Sequence, residues 1–423
     1  MYRIIWGMVL VLGSAGMANG QAPGGGPSVA NASAEGSLLI FPAVEVKWDR
    51  LGRVKFDTIL SITNDTAEDV YVQIYMVNGD DPLPETFLER AHPGWNWADC
   101  QLPLTPDQPT YWSAATGLQA GCQPFSVLDD AGPLGRPNLE DSIPRGRVLR
   151  GYFLAWAVNV LGEEISWNHL SGSATVVDYD SAVTWEYPAY AFRAINRTDR
   201  AQTDGFPGEL RLDGFEYDSP YDRLLLQFQA VGARFDTGIS PLTVDDLDIS
   251  LLIVPNDLRQ DGFGPITTKA KYDIWNQNER RLSGTEYCLT CWDQRLVSSF
   301  DVPNNALVQN LQTDVGKARI DGIASTLCDE SPDCVDPQGQ GGGAGCSTFA
   351  PLLGVAGKLY SIGGLASSDA AAAGSTLVGL GQESATIRYD IVRAAAQASP
   401  PQSSSPPSKG VGSLSEELGG GRR

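Results

Sequence analysis

The sequence predicts an all-β protein, an antiparallel β-sandwich, and three observations predict it. Apolar and polar residues alternate along many short runs, as in strands whose successive side chains point to opposite faces. Gly, Pro, Asn and Asp cluster between those runs, where turns are needed. Helical periodicity is nearly absent, so the strands do not alternate with helices as in an α/β fold. A chain of 423 residues exceeds one ordinary core, so two sandwich domains with long loops are expected.

Residues 1–20 read as an export signal. Arg3 supplies positive charge, Ile4 to Leu12 form a short apolar core, and Ala18 and Gly20 suit the small-residue positions before a cut at Gly20–Gln21. That apolar run is too short to span a bilayer and no later run is long and apolar enough, so no membrane insertion is expected. No cysteine stands at the cut to take a lipid anchor. The mature chain is expected to be secreted, periplasmic or at the cell surface. Residues 21–35 are a flexible leader of small residues.

The first sandwich domain is expected over 36–200. Leu38, Ile40, Val44, Val46 and Trp48 share one parity; Val54, Phe56, Leu60 and Ile62 form a second stripe, and Val70, Val72, Ile74 and Met76 a third. The polar joint Thr63 to Glu68 suits a turn, so an antiparallel meander with one wet and one dry face is expected. Residues 80–145 are crowded with Pro, Gly and Asp and read as a long loop with a short helix around Pro84 to Ala91. A loop of that length is usually functional or separately tied down. Val148 to Val160 is apolar on both parities and suits a central strand covered on both faces. Thr175 to Tyr179 and Trp185 to Ile195 read as further strands.

Polar residues 196–209 mark the boundary, and a second β-rich domain is expected over 201–393. Its stripes are Leu224, Leu226, Phe228 and Ala230; Leu247, Ile249, Leu251 and Ile253; and Ala270, Tyr272 and Ile274. Asp336 to Gly345 is a Gly-rich loop, and Ala385, Ile387, Tyr389 and Ile391 mark the last strand. Residues 394–423 have little to bury and are expected to be disordered.

Two hairpins look alike. Ser61-Ile62-Thr63-Asn64 leads into a polar turn and a strand, and Asp273-Ile274-Trp275-Asn276 leads into Gln277-Asn278-Glu279 and another polar run. The likeness fits an internal duplication or two ordinary hairpins. Strand, Asn-containing turn, strand resembles the immunoglobulin-like modules of exported bacterial proteins, and the whole chain resembles secreted bacterial proteins of that kind. The resemblance implies immunoglobulin-like sandwiches and carries no catalytic residues with it.

The net charge of −21 is spread along the chain. It opposes binding to nucleic acid or to an anionic membrane surface, which needs a basic face, and it favours solubility. The seven cysteines stand at 100, 122, 288, 291, 328, 334 and 346. Export makes disulfides the default. Cys100 and Cys122 share one loop and are the expected pair, contributing on the order of 3 kcal/mol. Cys288-Leu289-Thr290-Cys291 has the spacing of a redox or zinc site. It follows a strand-like run, however, and Cys328 with Cys334 is a poor second ligand pair. Structural disulfides are the main reading there, with metal and redox roles as alternatives.

The two histidines, His92 and His169, stand in different contexts and read as ordinary hydrogen-bonded residues. HExxH, GxSxG, Walker A and dinucleotide motifs are absent from the sequence, which disfavours zinc hydrolases and most Ser/His/Asp hydrolases. A glycosidase needs two placed carboxylates, and among 51 acidic residues some pair always suits. Asp213, Glu216, Asp218 and Asp222 offer oxygens to calcium without EF-hand spacing, against the alternative of a solvated acidic loop. No cofactor or metal is assigned. Of the ten tryptophans, Trp156 and Trp185 read as core. Trp95, Trp97 and Trp112 share the long loop and are the candidate ligand-binding residues, with packing of that loop as the competing role.

Two function classes remain: an exported non-enzymatic surface, matrix or binding protein, or a carbohydrate-active hydrolase or carbohydrate-binding protein on a sandwich scaffold. The expected partner is a carbohydrate or another surface protein. Carboxylates and loop tryptophans meeting in one hollow would favour the second class, and a flat apolar patch the first.

Overall fold

The structure is a computed structural model. It describes residues 29–30, 35–86, 91–92, 94–117, 136–137, 139, 145–195, 197–203, 206–236, 238, 240–258, 267–296, 311–323, 349–362 and 370–389. The expected export signal, the Gly-rich loop 336–345, Cys122, Cys328, Cys334, Cys346, Ile391 and the tail 394–423 lie outside the described residues. So does the leader 21–35 apart from residues 29–30 and 35. Every regular element among the described residues is a strand, so the chain is all-β.

The first strands are β1 (Leu38–Trp48), β2 (Val54–Asn64), β3 (Val70–Asn78), β4 (Trp97–Leu104) and β5 (Pro109–Ser113). They are followed by β6 (Arg136–Pro137), β7 (Arg147–Val158), β8 (Leu170–Asp178), β9 (Val183–Pro188) and β10 (Tyr190–Phe192). All join one antiparallel sheet with the path β4-β3-β7-β1-β2-β8-β9, to which β10, β5 and β6 add beside β1, β2 and β7.

This path corrects the expected meander. β7 inserts between β3 and β1, so β2 and β3 are not neighbours. The reason lies in β7 itself. Leu149, Phe153, Ala155 and Ala157 enter one core while Tyr152, Leu154, Trp156 and Val158 enter another, and only a central strand has two dry faces to offer.

The stripe of β1 is corrected too. Its register against β7 shifts between Phe41 and Val44, around Pro42-Ala43. Leu38 and Ile40 therefore face one core while Val44, Val46 and Trp48 face the other. An extra residue on one strand reverses which parity points inward. The expected wet face is missing as well, since β1 and β3 are buried along nearly their whole length on both sides.

Residues 80–145, expected as an irregular loop, contribute β4, β5 and β6. Pro103 hid β4 from pattern reading, yet β4 lies at the end of the sheet path, where a proline costs no ladder bond. Leu102 and Leu104 alternate with it and enter the core. No helix forms at the described residues of 84–91. Instead Leu83 and His92 bridge, each N–H donating to the other's carbonyl at 2.9 Å.

The later strands are β11 (Glu209–Leu212), β12 (Arg223–Gln229), β13 (Arg234–Asp236), β14 (Pro241–Ile253), β15 (Asn256–Asp257) and β16 (Thr267–Asn276). The remainder are β17 (Arg281–Thr290), β18 (Trp292–Leu296), β19 (Val315–Ile323), β20 (Leu352–Ile362), β21 (Ala370–Thr376), β22 (Val378–Leu380) and β23 (Ala385–Arg388). Two antiparallel sheets, β17-β16-β19-β12-β22 and β13-β14-β20-β21 with β18 beside β14, face each other over a shared core. All three stripes expected from alternation point into it: Leu224 to Ala230, Leu247 to Ile253 and Ala270 to Ile274.

A third sheet, β11-β23-β15, fastens the chain together. Leu210, Leu212, Ala385, Ile387 and Tyr389 pack with Trp156, Tyr75 and Phe192 of the first sheet and with Leu252 and Trp292 of the second half. The face of β7 that alternation left apolar is thus covered by the C-terminal strand.

Cys100 in β4 and Cys288 in β17 are disulfide-bonded, and Cys291 is buried. We propose that the partner of Cys100 is Cys122. Peptide mapping without reduction is expected to recover the two peptides joined. A bond from Cys100 to a cysteine beyond residue 280 would refute the pairing.

Candidate functional site

One hollow among the described residues collects both carboxylates and tryptophans, and it lies where the two halves of the chain meet. Alternation explains the supply of polar groups. Leu247, Ile249 and Leu251 of β14 enter the sandwich core, so Asp248 and Ser250 between them point the other way, toward β1 of the first sheet. There they meet Glu45, which follows the register shift in β1, and Gln294 from β18.

Two indoles close the hollow. Trp292 donates from Nε1 to the carbonyl of Pro42 at 2.6 Å. Its ring lies so close to Gly79 that a Cβ there would stand 2.6 Å from Trp292 Cε3. Trp185 of β9 lies over Gly357 and Gly374, where an added Cβ would meet the ring at 3.0 Å and 2.0 Å. A side chain at either glycine would push the two halves apart. Nearby, Tyr190 Oη bonds the carbonyl of Leu377 at 2.8 Å and lies 2.9 Å from that of Gly354.

The polar centre is a carboxylate pair bridged by one amide. Gln294 Nε2 donates to Glu45 Oε2 at 3.3 Å and to Asp248 Oδ2. Lys47 pairs with Glu45 at 2.8 Å. Burial pushes the Asp248 carboxyl up to about 7, and the Glu45 charge adds to the rise, while the Gln294 bond and Lys47 oppose it. Asp248 Oδ1 and Gln294 Oε1 are both sealed from solvent with no hydrogen-bond partner. The hollow has a volume of about 10 Å³, room for one water molecule and not for a sugar.

A second acid pair lies under the C-terminal strand. Glu164, between β7 and β8, is buried. It accepts hydrogen bonds from Tyr389 Oη at 2.5 Å, Thr203 Oγ1 at 3.2 Å and Tyr217 Oη at 3.5 Å. Burial, reinforced by the charge of the neighbouring buried Glu216, pushes the Glu164 carboxyl up to about 8, against the pull of the Tyr389 bond.

The residues singled out from sequence are dispersed. Trp112 lies in the core inside the first sheet, 5.6 Å from the Phe153 ring. Trp97 packs on the opposite face, 5.1 Å from Tyr75. Trp95 is half-buried, and its N–H donates to the carbonyl of Asp80 at 3.1 Å. Three tryptophans split between two faces do not make one sugar platform.

The acids of 213–222 are likewise divided. Asp213 accepts from the N–H groups of Phe215 and Glu216 at 2.8 and 2.9 Å. Asp218 accepts from Arg193 N at 2.9 Å, and Asp222 pairs with Arg223 at 3.0 Å. Glu216, Asp218 and Asp222 are buried, so the segment is not a solvated acidic loop either. Among the described residues, no three His, Cys, Asp or Glu side chains form a group that could hold a metal ion. His92 accepts from Gly94 N at 3.2 Å, and His169 lies 3.0 Å from Asp199.

Sequence reading missed Glu45, Asp248, Gln294 and Glu164. The available signal was an acid at a polar parity inside a strand otherwise rich in apolar residues, as in Val44-Glu45-Val46 and Leu247-Asp248-Ile249. No protein-family model and no curated protein matches this sequence.

Proposed function

We propose that the protein is an exported, non-enzymatic surface, matrix or binding component. It presents two immunoglobulin-like sandwich domains, over 36–200 and 201–393, to a carbohydrate or another surface protein. The observation that supports this most is how the seam spends its functional groups. Trp292, Trp185, Tyr190 and the Glu45–Gln294–Asp248 bridge are all engaged in holding strands of one half against strands of the other. A chain that invests its aromatic and acidic groups in this way suits a rigid scaffold.

The second reading is a carbohydrate-active hydrolase. What favours it is that two carboxylates and two indoles do share one hollow. Acting on a sugar would require the seam to part, because the hollow has room only for a water. The two readings separate when mature protein is incubated with a panel of polysaccharides from acid to alkaline pH and reducing ends are counted. The expected result is none above background, with retention of the protein on a glycan or a cell-surface fraction. Reducing ends that vanish in both Glu45→Gln and Asp248→Asn would establish the hydrolase.

A further inference from the structure

We infer that the seam between the two halves is an acid-tightened clasp, closed while Asp248 holds a proton beside Glu45 and loosened when Asp248 gives it up. The inference stands on the hollow itself and needs neither reading of the function.

The two carboxylates belong to different halves. Glu45 is on β1 of the first sheet, and Asp248 is on β14 of the later sandwich. One amide nitrogen touches both, so they are close neighbours across the seam. The charged groups around them are few. β1 brings Glu45 and Lys47, β14 brings Asp248 and Asp246, and β18 brings the neutral amide of Gln294. β8, β9 and β20 present Val176, Trp185, Val355 and Gly357, none of which titrates. Lys47 pairs with Glu45 at 2.8 Å, and its charge is the weakest of the influences on Asp248. A charged Asp248 has no cation of its own there, and Asp246 adds a like charge.

The hydrogen-bond inventory points the same way. Gln294 has two amide hydrogens and gives one to each carboxylate. That leaves Asp248 Oδ1 and Gln294 Oε1 as two sealed acceptors with no donor. A proton on Asp248 turns one of these acceptors into a donor, and the water-sized hollow lets a single water complete the set. Removing that proton to solvent leaves two like charges and two orphan acceptors in the same small space. The costs of both fall on the contact between the halves, because the carboxylates sit on opposite sides of it. The indole and tyrosine contacts beside the hollow keep their charge state through neutral pH and hold the closed position, while Glu164, bonded by Tyr389 away from the hollow, is the other acid that titrates between the halves.

The sign follows from the raised Asp248 carboxyl. The closed seam binds a proton that an opened seam releases, so closure weakens as pH rises from about 4 to about 7 and changes little above that. The test is amide hydrogen exchange of the mature chain carrying Glu164→Gln, which removes the other acid that titrates between the halves, from about pH 5 to about pH 9, with protection corrected for the intrinsic pH dependence of exchange. In that background, protection of β1, β14 and β18 around Glu45, Asp248 and Gln294 is expected to fall by up to about tenfold per pH unit below pH 7 and then level off. β16 and β19, far from the seam, are expected to stay more protected than the seam strands at every pH, because the seam parts without unfolding the sandwich. Adding Asp248→Asn is expected to remove the fall, and adding Glu45→Gln to shift it to lower pH. Constant protection at the seam, seam protection equal to that of β16 and β19 at every pH, or an undiminished fall with Asp248→Asn would each overturn the clasp. Should neither seam variant fold, the fall at the seam and its gap below β16 and β19 in the Glu164→Gln chain decide alone.

Discussion

Trp292→Ala is expected to destabilise the chain by about 3–5 kcal/mol, the largest single-residue effect at the seam. The indole is almost wholly buried and packs in the core shared by the first sheet, the C-terminal strand and the later sandwich. Three losses combine. The ring's apolar surface returns to water, a cavity opens over Gly79, and the carbonyl of Pro42 loses its donor at the point where β1 shifts register. Urea unfolding followed by circular dichroism measures the change. Trp292→Phe separates the contributions, since it refills most of the cavity but restores no donor to Pro42. A loss of about 1–2 kcal/mol is expected for it. If Trp292→Ala shifted stability by less than about 1 kcal/mol, the seam would not be a shared core.

Glu164→Gln is expected to make the protein more stable than wild type at alkaline pH. In the folded chain the carboxyl is pushed up to about 8 from an ordinary value of 4.5. Between those two values the folded state keeps a proton that the unfolded chain gives up. Wild-type stability from this group is therefore fully present below about pH 4.5. It declines by about 1.4 kcal/mol per pH unit through the window and flattens above about pH 8, a span on the order of 5 kcal/mol. Glutamine has no proton to lose, and its amide oxygen still accepts from Tyr389. Urea midpoints collected across that pH range should show the steep decline in wild type and a shallow one in Glu164→Gln. The residual slope belongs to Asp248 and should end near pH 7. A variant that kept the full wild-type slope would place the titrating group elsewhere.

Much of the fold is legible in the chain. The stripes Leu224 to Ala230, Leu247 to Ile253 and Ala270 to Ile274 all reach the core that alternation assigns them. β7, apolar on both parities, is an interior strand with neighbours on both sides. These readings succeed because alternation is local. Each side chain's direction depends on its own strand, and burial of one face selects residues at every second position.

What the tertiary structure decided is which strands and faces meet. The apolar even-numbered positions of β1 run on through Pro42, yet the register shift there sends Leu38 and Val44 into different cores. Trp97 and Trp112 are near in sequence and lie on opposite faces of one sheet. Glu45 and Asp248 are far apart in sequence and share one amide. The physical reason is common to all three. A strand's own residues say which side is dry, but its neighbours are chosen by non-local burial, and a single extra residue reverses every face beyond it.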